Sequence, residues 1–139
     1  MLFSFVCYAA ETLWPGTCEP VTNFTLYYVG EYGPVAGALA MKQELFARGP
    51  ISCGIDATTE FESYSGGIYS QNLTDVSINH EIAVVGWGLD SSSGTEYWIG
   101  RNSWGMYWGE EGFFQMEMYQ NNLGIETDCS WGIPSWEKP

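Results

Sequence analysis

Basic residues are scarce. Lys42, Arg48, Arg101 and Lys138 are the only four in 139 residues, against 17 acidic side chains, and the formal net charge is −13. Four scattered cations cannot neutralise a run of phosphates or anionic lipid headgroups, which argues against nucleic-acid and membrane-surface partners. Histidine is represented by His80 alone. Cys7, Cys18, Cys53 and Cys129 show none of the close pairings that hold zinc, so neither a metal nor any other cofactor is expected. Long apolar runs are missing too: the longest, residues 2–10, is about half a bilayer span. That segment has the apolar core of a secretory leader, but no Lys or Arg precedes it and its cleavage site is poor, so a leader and a plain apolar start both stay open.

What is present suits one folded domain. Hydrophobic residues make up 45% of the chain and aromatic ones 17%, enough to offset the entropy of ordering a chain of this length. The acid excess is spread from Glu11 to Glu137 and reads as a solvated surface that repels its own copies. An even number of widely spaced cysteines fits disulfides in an oxidising compartment. Asn23-Phe24-Thr25 and Asn72-Leu73-Thr74 are acceptor triplets for N-glycosylation.

Residues 1–17 carry no periodicity into the rest, so the domain is expected over 18–139. The β-branched and aromatic residues of 23–28 predict a strand closed by turn residues at 30–34. Ala38, Met41 and Leu45 share one helical face with Leu39 and Phe46 beside it, and Gly49-Pro50 supplies the stop. Ile51, Cys53 and Ile55 alternate with Ser52, Gly54 and Asp56 as in a strand with one buried face. Thr59 and Glu62 form a capping box for a short helical turn in which Phe61 packs on Tyr64, and Ile68-Tyr69 is a brief strand. Residues 80–87, almost wholly apolar, read as a strand buried on both faces. Asp90-Ser91-Ser92-Ser93-Gly94 is a hairpin loop into a strand at 96–101, and Phe114, Met116 and Met118 mark one more. One main helix against five or six strands gives an α+β class: an antiparallel, barrel-like sheet with a helix packed at its side.

The same hairpin brings chemistry together. Centred near residue 91, it sets the start of its first strand beside the end of its second, and so His80 beside Asn102. An amide oxygen can orient an imidazole for proton transfer, and an indole such as Trp104 can keep water off that bond. Taken singly, each has a plainer reading: His80 as a satisfied strand-end residue, Asn102 as a turn cap, Trp104 as core. Their joint occurrence favours a site.

The chain resembles the papain-like cysteine proteases. The resemblance runs from about Cys18 to Pro134 through Val29-Gly30-Glu31-Tyr32-Gly33, Gly66-Gly67-Ile68-Tyr69, Ile78-Asn79-His80, Gly94-Thr95-Glu96-Tyr97-Trp98-Ile99 and Arg101-Asn102-Ser103-Trp104-Gly105 with Trp108-Gly109-Glu110. Within Arg48-Gly49-Pro50-Ile51-Ser52-Cys53-Gly54-Ile55, the segment from Gly49 points to the cathepsin X (cathepsin Z) branch. The resemblance implies the right, β-barrel domain of that fold. It makes His80 the general base and acid, Asn102 its orienting group and Trp104 the shield, and pairs Cys53 with Cys129 in a disulfide. It implies a peptide or protein substrate, a carboxypeptidase in the full-length branch, and a lysosomal, vacuolar or secreted location.

The family's nucleophilic cysteine lies about 130–150 residues before its His and Asn, which places it about 50 residues before Met1. None of the four cysteines matches it. The chain is therefore expected to hold the C-terminal half of a cysteine peptidase, to need the family's helical half as partner, and to be inactive alone. A non-catalytic binding module and a truncated gene-model fragment are the rival readings.

Overall fold

Gly49 ends the main helix α1 (Ala38–Arg48), adopting φ 92° and donating its N–H to the Leu45 carbonyl at 3.1 Å, a conformation that favours glycine. The helix buries Ala38, Met41 and Leu45 at the expected spacing, while Leu39 and Phe46 on its flank are exposed. Arg48, in its last turn, stacks on Trp131 with the guanidinium 4.2 Å from the ring centroid. The computed structural model describes residues 25–137, with the backbone of two short strands before them, β1 (Phe5–Cys7) and β2 (Cys18–Pro20). Those two pair antiparallel with Cys7 opposite Cys18. Residues 1–4, 8–17 and 21–24, Asn23 among them, lie outside the described residues.

Seven strands form the main sheet: β3 (Tyr28–Val35), β4 (Ile51–Ile55), β5 (Ile68–Tyr69), β6 (His80–Leu89), β7 (Glu96–Arg101), β8 (Phe113–Glu117) and β9 (Cys129–Ser135). Their order is β3-β9-β4-β6-β7-β8-β5. Neighbours run antiparallel except β5 and β8, which are parallel, and the sheet curls without closing. α1 packs against β9, β6, β3 and β4. Trp98, Phe61, Phe114, Met41, Met116, Ile51, Ile55 and Val84 form the dry interior. Each such side chain contributes about 1.5–3 kcal/mol by leaving water.

Three expectations need correction, and one strand was not anticipated. The strand expected at 23–28 lies at 28–35 and runs through the supposed turn. β3 is paired only with β9, so Pro34 costs no ladder hydrogen bond on its open side, and Gly33 makes room for the Trp131 indole. β9, with Gly132 and Pro134 inside it, carried no period-2 signal and was not anticipated. β6 is half-buried: Ile82 and Val84 face the core while Val85, Trp87 and Leu89 are exposed, after a bulge at Val85. The cap of α2 (Thr59–Glu62) is Thr58, whose hydroxyl accepts from the Phe61 N–H at 3.2 Å, one residue before the expected Thr59.

Gly100 shows how tightly β7 meets β8. A Cβ at this position would lie 2.1 Å from Cζ of Phe114, a fully buried ring in the neighbouring strand. Gly100→Ala is therefore expected to lower stability by about 1–3 kcal/mol through overpacking. A shift of the urea midpoint at unchanged m-value measures it, and an unchanged midpoint refutes it.

The hairpin loop offers a pH test. Hydrogen bonds from the Ser93 hydroxyl and from the Ser92 N–H and hydroxyl hold the Asp90 carboxyl at about 2, well below its ordinary value. A depressed folded value means that the ionised loop is favoured at neutral pH and that this preference fades as pH falls from about 4 toward 2. Amide signals of Ser92 and Gly94 should shift across that window, and Asp90→Ala should abolish the transition.

Candidate active site

His80 is the first residue of β6, where the strand lies beside Ile55 of β4, and it shares the face of buried Ile82 and Val84. Asn102 follows the last residue of β7. The ladder sets Ala83 opposite Arg101, so its continuation would set Ile82, not His80, against Asn102. Residues two apart on a strand point the same way, and the His80 ring still reaches across. His80 Nε2 lies 2.8 Å from Asn102 Oδ1.

The partner groups fix the chemistry of this contact. Asn102 Oδ1 also accepts the Ser103 N–H at 2.7 Å, so the oxygen of the amide faces the ring. An oxygen can only accept here, so Nε2 carries the proton of the neutral imidazole and Nδ1 is left with the lone pair. Asn102 is buried, its own N–H is bound to the Gly112 carbonyl at 2.9 Å, and its Nδ2 has no partner among the described residues. A buried donor left unmade costs about 1–3 kcal/mol, a strain of the kind that active sites carry.

Trp104 lies over the pair. Its indole stacks on the imidazole with centroids 4.7 Å apart and planes at 26°, while 37% of the residue is exposed. Beneath it the aromatic cluster continues through Trp108 at 5.1 Å and Phe61 at 6.0 Å. Phe61, fully buried, also touches Tyr69, Trp108 and Phe114 at 5.1–5.2 Å, and Tyr64 at 6.3 Å as expected. Its position at the centre of this cluster was not foreseen, because a one-turn helix carries too little periodicity to orient a side chain.

The remaining expected residues lie apart from the imidazole. Cys53 and Cys129 are joined in a disulfide with Cα atoms 4.0 Å apart, buried in the core between β4 and β9. Neither sulfur is free to act as a nucleophile. Asn72 is exposed on the loop between β5 and β6. Among the described residues no group of His, Cys, Asp and Glu gathers with metal-binding geometry, and no helix is long and apolar enough to cross a membrane.

The family model for papain family cysteine proteases matches residues 7–133. The chain belongs to the papain family of cysteine proteases. It is 51% identical over 128 residues to cathepsin Z of Onchocerca volvulus, covering 87% of this chain and 42% of that protein. To cathepsin C of Schistosoma mansoni it is 32% identical, over 81% of this chain and 28% of the relative. The chain thus spans less than half the length of these curated relatives. Among solved structures, the bromelain protease of Ananas comosus in complex with the E64 inhibitor aligns with TM-score 0.68 at 31% identity, over 76% of this chain and 50% of that one. Digestive procathepsin L 3 of Tenebrio molitor gives the same TM-score at 36% identity, over 75% and 35%. The likeness bears out the α+β, barrel-like fold of the papain-like proteases with one main helix.

Proposed function

We propose that this chain carries the base half of a cysteine-peptidase site, with His80 as proton carrier, Asn102 as its orienting group and Trp104 as the cover that keeps water from their bond. The observation that carries the reading is the His80–Asn102 contact and the tautomer it imposes. It leaves Nδ1 as the nitrogen able to take the proton of a thiol brought up to the open side of the ring. The thiolate comes from a helical half of the family type. It attacks the peptide carbonyl carbon, forming a C–S bond. Imidazolium Nδ1–H then protonates the leaving amine as the C–N bond breaks. Water, deprotonated by the same nitrogen, releases the acid and restores the thiol.

The substrate class is a peptide or protein, and the 51% likeness to a cathepsin Z supports carboxypeptidase action in the assembled site. Trp104, stacked on His80, and the exposed Met106 and Tyr107 of the same loop would meet the helical half and the substrate. The disulfide supports an oxidising compartment, lysosomal, vacuolar or secreted, where exposed Asn72 would carry an N-glycan, as would Asn23.

The test joins this sequence to the helical domain of a cathepsin Z relative and measures labelling by a thiol-directed inhibitor and release of C-terminal residues from a peptide. Labelling with cleavage supports the reading. A folded chimera that is never labelled overturns it and favours a non-catalytic binding module, and thiol-dependent cleavage by this chain alone also overturns it.

A further inference from the structure

The loop that covers His80 is fastened from below mainly through Glu110. Between Asn102 and β8 the backbone runs through Trp104, Gly105, Met106, Tyr107 and Trp108, and its tip is bare: Met106 is 68% exposed and Tyr107 fully so. An exposed loop of this kind holds a ring in a fixed stack only if its base is pinned. Glu110 supplies two pins. Its Oε1 accepts the Gly67 N–H at 3.0 Å, and its Oε2 accepts from Gln115 Nε2 at 3.1 Å, so one carboxylate ties the loop both to the turn before β5 and to β8. Gly66 leaves the carboxylate room, since a Cβ there would lie 3.3 Å from Oε1. The Trp108 indole adds a third tie, donating to the Glu62 carbonyl at 2.9 Å.

We infer that Glu110 is a positioning residue: its carboxylate clamp holds the Trp104 ring on His80, so that the cover of the base depends on a side chain that touches neither ring. Both oxygens are used, a role that a shorter or neutral side chain fills only in part. For its catalytic meaning the inference rests on the proposed role of His80; its test does not, because it reads the ring directly.

His80 is the single histidine, so its two carbon-bound ring protons are identifiable in the NMR spectrum of this chain. Stacking on an indole shifts them upfield. Glu110→Ala should lose most of that shift and raise the rate of His80 modification by diethyl pyrocarbonate several-fold. Glu110→Gln, which keeps the bond from Gly67 and exchanges the charged acceptor facing Gln115 for a neutral amide, should fall between. Lys42→Ala serves as the comparison, because it breaks the Lys42–Glu96–Tyr119 contact between α1 and β7 and weakens the fold without touching the loop. Should Glu110→Ala fail to fold, Gln115→Ala removes one pin by itself and should give the partial loss. Unmoved ring protons in a folded Glu110 or Gln115 variant overturn the inference, as does an equal displacement in Lys42→Ala.

Discussion

His80→Ala, made in the chimera that carries both halves, is expected to cut peptide cleavage by about 10²–10⁴-fold, the range associated with a positioned proton carrier. Labelling by a thiol-directed inhibitor should fall with it, because the thiol loses the imidazole that stabilises its ionised form. Asn102→Ala should cost less, since the amide carries no proton. Its removal frees the ring to take the other tautomer and to rotate away from Trp104. The order of the two losses is the informative result. A chimera indifferent to His80, or one hurt more by loss of Asn102, would assign the proton transfer to another group.

Removal of the Cys53–Cys129 disulfide is the second large effect. The two residues stand 76 apart in sequence, and the chain-entropy model gives about 4.5 kcal/mol for a loop of that size, as an upper figure. Domains of this length are commonly stable by only 5–15 kcal/mol. The paired variant Cys53→Ser with Cys129→Ser is therefore expected to lose about a third or more of its stability and to unfold at a much lower denaturant concentration. Denaturant titration of the oxidised protein against that variant measures the difference. A loss below about 1 kcal/mol would show that the sheet register between β4 and β9 holds without the bond.

The sequence was most legible where local chemistry and tertiary placement agree. The hairpin of β6 and β7 announces itself through Asp90 and its serines, whose hydroxyls close the loop on the carboxylate, and the helix through Ala38, Met41 and Leu45 and the Gly49 stop. The His80–Asn102 meeting followed from that hairpin alone, although the true register is displaced by two residues and interrupted at Val85. Roles, by contrast, came from resemblance to a family rather than from spacing. β3 and β9 were hidden because their glycines and prolines look like turn residues; β3 has one free side, and β4 pairs only with Cys129 and Ser130 of β9, so Gly132 and Pro134 lie beyond that ladder. Residues 80–87 misled in the opposite direction, since an apolar composition does not reveal that Trp87 and Leu89 look outward. Glu110 entered only as part of the Trp108-Gly109-Glu110 resemblance, and its contacts were not legible, because a glutamate between glycines gives no sign of which amides it will meet.

The place of β9 in the sheet has a consequence for biosynthesis. β3, formed by residues 28–35, has β9 as its ladder partner, and β9 consists of residues 129–135, made about a hundred residues later. As the polypeptide emerges from the ribosome, α1, β4 and the hairpin of β6 and β7 can gather while β3 waits with both of its edges open. Cys53 is without its native partner through the same interval, since Cys129 belongs to β9. Sheet completion and disulfide formation thus both wait for residues 129–135, and the nascent chain must be kept from pairing its exposed β3 edge with a neighbour until they emerge.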